Sequence, residues 1–275
     1  MMVPVVRLIG VPIDCHSSYM RGAASAPAAI RAALASGHGN AVAESGVELG
    51  LDVRVDDWGD LALSDTLAAT AADDGLVFAA VTDALAADAM PLVLGGDHSI
   101  SVPVVAALAG TFGALNILHI DAHPDLYENY GGDPRSHASP FARIVEAGHA
   151  KRLVQVGVRT MNRHCREQAL RFGVEVIEMR DFSRRTLPQL EGPLYISIDM
   201  DGFDPSVAPG VAHLEPGGLS VRDVLDLVDR QTAPLVGADI VELCPVRDPT
   251  GVTSILAAKL VRELCALYMK NRAAT

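Results

Sequence analysis

Cysteine is scarce in this chain, and no two of the four present, Cys15, Cys165, Cys244 and Cys265, form a C-x-x-C pair. That argues against a structural zinc site built on thiolates, and the low thiol density suits a reducing compartment. Basic residues are outnumbered: 22 Lys and Arg stand against 34 Asp and Glu, for a net charge of −12. A nucleic-acid binder needs a basic face to neutralise phosphates, so this balance argues against that class. The acidic excess is compatible with a cationic small substrate, although such an excess mostly keeps a protein soluble. Long apolar runs are also missing. A membrane span needs about 18–20 apolar residues, and the most apolar region, 76–96, is broken by Asp83 and Asp88. The opening M-M-V-P-V-V-R-L-I-G-V-P lacks a basic leader and is β-like, unlike a signal peptide. The expectation is a soluble, cytoplasmic protein with no nucleic-acid or membrane partner.

What is present is a globular composition, 49% hydrophobic and 20% charged over 275 residues. Short apolar runs alternate with Ala-rich helical windows. Strands are expected at 5–11, 47–53, 91–96, 115–121, 152–158, 174–179, 194–200 and 235–243. Helices are expected near 26–36, 65–89, 101–110, 138–148, 162–172, 220–230 and 252–270. Continuous apolar strands alternating with helices indicate an α/β fold, a three-layer α/β/α sandwich around a central, mostly parallel sheet of about eight strands. No repeat, low-complexity linker or shift of composition divides the chain, so residues 1–275 are expected to form one domain.

Ligands of such sheets bind beyond the carboxyl ends of the strands. Four strand ends here are polar. P-L-V-L-G-G leads into Asp97-His98-Ser99, and L-N-I-L-H-I into Asp121-Ala122-His123-Pro124-Asp125. L-Y-I-S-I leads into Asp199-Met200-Asp201, and L-V-G-A-D-I-V into Glu242. In extended backbone residues two apart point the same way, so Asp121, His123 and Asp125 are expected to converge. Buried acids side by side repel and are costly to desolvate, which a metal ion corrects. Asp199 and Asp201 repeat the pattern on a second strand end. His98 follows two glycines that permit close backbone approach. A lone D-x-H, D-x-D or histidine would more often be a solvated loop or a capping group. Four carboxylates carry four negative charges, which two divalent ions balance, and six ligands are too many for one ion that must also keep an open position. Carboxylate and imidazole without thiolate favour Mn²⁺ over Zn²⁺, and two such ions can acidify a bridging water to hydroxide near neutral pH.

The same segments carry a resemblance. L-V-L-G-G-D-H-S, D-A-H-P-D and S-I-D-M-D-G-F-D-P-S resemble the three signatures of the ureohydrolases, the family of arginase, agmatinase and related amidinohydrolases. S-H-A-S-P-F-A-R-I, A-P-G-V-A-H-L-E-P-G-G-L-S, V-G-A-D-I-V-E-L and A-A-K-L-V-R-E-L resemble its plant-type arginase branch, and the match extends over nearly the whole chain. The resemblance implies an arginase-like fold and two Mn²⁺ per subunit. One ion would be held by His98, Asp121, Asp125 and Asp199, the other by Asp121, His123, Asp199 and Asp201, with Asp121 and Asp199 bridging. It implies that His137, in S-H-A-S, shuttles protons and that Glu242, in I-V-E-L, pairs with a small guanidino substrate. Asp125 would relay a proton toward the leaving amine. A homo-oligomer, trimer or hexamer, is also implied.

Two positions depart from the family pattern. Where most members have E-x-N-P this chain has E-L-C-P, so Cys244 replaces an amide that both donates and accepts. A loosened or reshaped pocket floor and a tolerated small buried residue are both open there. Tyr127 stands where animal-type arginases carry an asparagine that recognises the α-carboxylate, as in the plant-type branch. Arg21, Arg135 and Ser136 are the nearest candidates for that contact. The leading expectation is hydrolysis of arginine or a close analogue to ornithine, or a related amine, plus urea. A specialised hydroxyarginine hydrolase, motivated by Cys244, and an agmatinase are alternatives. A zinc deacetylase of the same general fold would want a histidine pair, which is lacking. A non-catalytic sensor would be expected to have lost ligands.

Overall fold

The computed structural model describes residues 3–272. Among them lie strands β1 (Val5–Val11), β2 (Arg54–Asp60), β3 (Ala89–Gly95), β4 (Leu115–Ile120), β5 (Ala150–Val158), β6 (Glu175–Glu178), β7 (Leu194–Asp199) and β8 (Leu235–Val241). They form one sheet in the order β2-β1-β3-β8-β7-β4-β5-β6. Every pairing is parallel, so the sheet is wholly rather than mostly parallel. The helices are α1 (Ala26–Ala35), α2 (Thr70–Ala86), α3 (Ser101–Phe112), α4 (Pro140–Glu146), α5 (Arg163–Phe172), α6 (Val221–Asp229) and α7 (Val252–Arg272). No helix among the described residues is long and apolar enough to cross a membrane.

Two cores follow from the strand alternation. Val6, Leu8, Leu92, Leu118 and Ile196 point to one face, against Ile30 of α1, Val224 of α6 and Leu260 of α7. Ile9, Val93, Ile117 and Tyr195 point to the other, against Val81 of α2, Val104 of α3, Phe141 of α4 and Ala169 of α5. Each Leu, Ile or Val so buried stabilises by about 1.5–3 kcal/mol. Both faces are covered, which is why the inner strands read as unbroken apolar runs rather than as alternation.

One strand differs from the sequence expectation. V-E-L-G-L-D-V at 47–53 contributes only isolated bridges, Val42 with Glu48 and Leu49 with Val53. The second strand is instead R-V-D-D-W-G-D, β2. It is an edge strand, half in solvent, so its residues need not be apolar. Its acids are held by neighbours: Asp56 accepts from Arg7 Nη2 at 2.9 Å, and Asp57 from Arg31 Nε at 2.9 Å. The Arg7 guanidinium also lies 3.7 Å from the Trp58 ring centre.

The strand order positions the site. β3, β8, β7 and β4 are consecutive in the sheet, although they are scattered along the chain. Their carboxyl ends are the four polar ends singled out above. Gly96 is required at the first: a Cβ there would lie 1.8 Å from the Ile13 carbonyl oxygen.

Candidate metal centre

Three of these strand ends close with the same local device. Asp121 Oδ1 accepts from the His123 amide at 2.6 Å, Asp199 Oδ1 from the Asp201 amide at 2.7 Å, and Asp97 Oδ1 from the Ser99 amide at 3.0 Å. Each aspartate turns the chain by bonding to the amide two residues on, which ends the strand. The expected reason for the convergence of Asp121, His123 and Asp125 is thereby corrected. β4 stops at Ile120, so a turn rather than extended backbone gathers them. Asp125 completes it with a left-handed φ of 49°. Glu242 is also left-handed, with φ 64°. Left-handed backbone is costly away from glycine, and it persists where the surroundings over-determine it.

Two imidazole nitrogens are the foci of the cluster. His98 Nδ1 lies 3.1 Å from Asp199 Oδ2, 3.2 Å from Asp125 Oδ2 and 3.3 Å from Asp121 Oδ2. His123 Nδ1 lies 3.1 Å from Asp201 Oδ2 and 3.4 Å from Asp121 Oδ1. Asp121 thus gives one oxygen to each focus. Asp199 gives Oδ2 to the first, while its Oδ1 holds the Asp201 amide. Asp121 is fully buried, and Asp125, Asp199 and Asp201 nearly so. Burial pushes the Asp199 carboxyl up, and Asp201 and Asp121 push it further. Asp125 is raised by burial and then by Asp121. Burial pulls His98 down, but the facing Asp121, Asp125 and Asp199 carry it well above the ordinary histidine range. These are groups that gain from exchanging a proton for a divalent cation.

The donor set fits such an ion. It is oxygen and imidazole without sulfur, and a bound network fixes the tautomer. Ser197 Oγ donates to Asp239 Oδ1 at 2.6 Å, so it must accept from His98 Nε2 at 2.8 Å. The lone pair of neutral His98 then sits on Nδ1, facing the carboxylates. Asp239 is fully buried and also accepts from the Tyr195 hydroxyl and from Ser101 Oγ. Side chains gather as two possible ion sites: His98, His119, Asp121 and Asp125, and Asp121, His123 and Asp201.

Beside the cluster, a cavity of about 140 Å³ is lined by Asp125, Tyr127, Tyr130, His137, His213 and Glu242 among others. Glu242 Oε1 accepts from the His98 amide at 2.8 Å and meets His137 Nδ1 at 2.8 Å. His137 Nε2 lies 3.0 Å from the Ser18 amide and 2.8 Å from its hydroxyl. Burial pulls His137 down, but Glu242 more than offsets it and holds the ring at about 9. Burial raises Glu242, and His137 outweighs that and lowers it.

All eight residues predicted for the site therefore meet at one end of the sheet. Those proposed for the amino-acid end of a substrate do not. Arg21 is held by Asp14 and Asp65, and Arg135 by Asp74 at 2.7 Å; neither they nor Ser136 line the cavity. Cys244 does not form its floor either. It is buried, and a Cβ on Gly22 would come within 2.8 Å of its sulfur. Sequence reasoning missed His119, Gln155, Ser18 and His213. His119 had a signal, two residues before Asp121 on the same strand. His213 stands in A-H-L-E-P-G-G, with its ring 5.6 Å from those of Tyr19 and His123. Ser18 and Gln155 had none.

A parallel α/β/α sandwich with a buried carboxylate–imidazole cluster across four strand ends defines a metal-dependent hydrolase. The chain belongs to the arginase family, whose model matches residues 5–266. It is 48% identical to Arginase 1, mitochondrial, of Arabidopsis thaliana, over 96% of this chain and 81% of that protein. It is 33% identical to an agmatinase of Bacillus cereus, over 96% and 92% of the two chains. The solved arginase from Medicago truncatula superposes with a TM-score of 0.91 at 43% identity, covering 97% of this chain and 88% of that one. The expected cytoplasmic location is overturned by these relatives. The Arabidopsis protein is named mitochondrial, as are the similar arginases of rice and of Medicago truncatula. Location follows targeting signals, on which neither cysteine density nor an acidic surface bears.

Proposed function

We propose that this protein is an arginase, hydrolysing the guanidino group of arginine to ornithine and urea with two Mn²⁺ per subunit. The observation that carries the reading is the pair of imidazole foci sharing Asp121, next to a cavity that Glu242 and His137 enter. His98, Asp121, Asp125 and Asp199 would hold one ion, and Asp121, His123, Asp199 and Asp201 the other. Two such ions supply an acidified water and positive charge to offset the charge that develops during attack.

The chain's own residues do the rest. Glu242 binds the planar guanidinium and orients its carbon. Its Oε1 already accepts two bonds, so the cation meets Oε2 and competes with His137 for Oε1. Asp125, with one oxygen left for the ion, takes a proton on its other carboxylate oxygen and passes it to the leaving amine. His137 carries protons between the cavity and solvent through its Nε2, on the side of Ser18. The tyrosines and hydroxyls of the outer cavity recognise the amino-acid end of the substrate, since among the described residues no Lys or Arg lines it. The catalytic unit is a single domain over residues 1–275, assembled as a homo-oligomer, trimer or hexamer, which light scattering measures.

The test is urea release from arginine and agmatine, side by side, by the Mn²⁺-loaded protein. Arginine is expected to have the higher kcat/KM. Preference for agmatine would replace this reading with the agmatinase one, and absence of urea from both would overturn it.

A further inference from the structure

His119 gathers with His98, Asp121 and Asp125 at one possible ion site, is fully buried and touches the carboxylate shared by the two foci. Its Nε2 is 2.8 Å from Asp121 Oδ2. Its ring stacks on Phe141 at 3.8 Å between centres, which holds it in place. On its other side β4 and β5 run in register, pairing His119 with Gln155. The Gln155 amide nitrogen lies 3.0 Å from His119 Nδ1 and 2.5 Å from the Pro124 carbonyl oxygen.

The hydrogens follow from these contacts. A carbonyl only accepts, so the atom of Gln155 next to Pro124 must be the amide nitrogen; the opposite orientation would set two oxygens against each other. The second hydrogen of that nitrogen points at His119 Nδ1, which must be a lone pair. The proton of neutral His119 is then on Nε2 and is donated to Asp121. A nitrogen that carries a proton cannot also bind a metal ion.

We propose that His119 is a positioning residue rather than a ligand: Gln155 fixes its tautomer, and its Nε2–H orients the carboxylate that the two ions share. The inference rests on the two-ion reading. An arrangement of this kind acts on metal affinity and ligand orientation, by about 10–100-fold for a lost partner.

The experiment is equilibrium dialysis of the full chain against Mn²⁺ alone, with electron paramagnetic resonance of the loaded protein. His119→Phe keeps the stacking ring and loses the donor, whereas His119→Gln keeps a donor near Nε2. His119→Phe is expected to bind two ions with about 10–100-fold weaker affinity and an altered coupling signal. His119→Gln should stay within about threefold of wild type. An unchanged affinity in His119→Phe, equal losses in both variants, or saturation at one ion in His119→Phe would each overturn the proposal. Should His119→Phe not fold, histidine ¹⁵N shifts of the wild-type protein loaded with Mg²⁺ decide the matter: a proton on Nε2 supports the assignment and one on Nδ1 overturns it. Wild-type binding of fewer than two Mn²⁺ per chain would overturn the two-ion reading itself.

Discussion

Replacing Asp239 by asparagine changes almost no volume and touches no proposed ligand, yet it should weaken either metal binding or the fold. Asp239 is fully buried on β8 and accepts from three hydroxyls, those of Ser197, Ser101 and Tyr195. Asparagine turns one accepting oxygen into a donor. If the new NH₂ faces Ser197, that hydroxyl must accept, and its own proton swings to His98 Nε2. The His98 proton then moves to Nδ1, where an ion would bind. The cost is a rise in the Mn²⁺ dissociation constant of about 10–100-fold, or about 1.4–2.8 kcal/mol. If the NH₂ faces Tyr195 and Ser101 instead, a buried donor is left against a donor, at about 1–3 kcal/mol. For a chain of this size that lowers Tm by about 2–4 °C per kcal/mol. Mn²⁺ titration and thermal unfolding with and without chelator separate the two. An Asp239→Asn variant with both wild-type affinity and wild-type Tm would refute the reasoning, because the single carbonyl oxygen of the substituted side chain cannot serve all three hydroxyls.

Asp125→Asn should cut kcat by about 10²–10⁴-fold with the fold intact by circular dichroism, since it removes a ligand and a proton acceptor together; near-normal urea release would rule out that role. Chelation should abolish activity reversibly, with Mn²⁺ restoring it best, and better recovery with Zn²⁺ at equal loading would show the metal assignment to be wrong. Glu44 tests a surface charge instead: its hydrogen bonds from Arg222 and Lys259 lower its carboxyl from 4.5 to about 2. A lowered folded value means that the stabilisation is complete above about 4.5 and is lost as pH falls through about 2. Glu44 is well exposed, so Glu44→Gln should cost no more than about 1 kcal/mol at pH 7, and the difference from wild type should vanish below the folded value. A gap that persists in acid unfolding would point to lost packing rather than lost charge.

The proposed ligands were legible in the sequence because each is a polar residue ending an apolar run. A carboxylate or imidazole carried into the interior by such a strand must find a partner for its charge or its lone pair, and a shared cation serves several at once. The central strands were legible for the related reason that burial on both faces leaves an apolar run. β2 was not, because Asp56, Asp57 and Asp60 satisfy their charge through Arg7 and Arg31, far away in sequence. Gln155, Ser197 and Asp239 were invisible for a similar reason. A lone polar residue within an apolar strand says nothing until the strand order names its neighbour. Ser18 lies in a loop whose path is set by Asp14 and Asp65, a tertiary fact with no local periodicity. Tyr127 lines the cavity, but the arginines named as candidates for the amino-acid end are already paired with aspartates.

Among the described strands β8 is the last in chain order, and it lies in the middle of the sheet. Before it arrives, β2-β1-β3 and β7-β4-β5-β6 have no ladder between them. His98 then belongs to one half and the aspartates to the other. A chain ending before Leu235 therefore owns every proposed metal ligand and gathers five of them through the pairing of β4 with β7, but it has no ladder that brings His98 to them. Domains emerge N-terminus first during synthesis, and long-range parallel pairing is slow. The order of the strands thus delays completion of the first focus, since β4 and β7 pair without β8 but His98 meets their aspartates only when the keystone strand closes the arch.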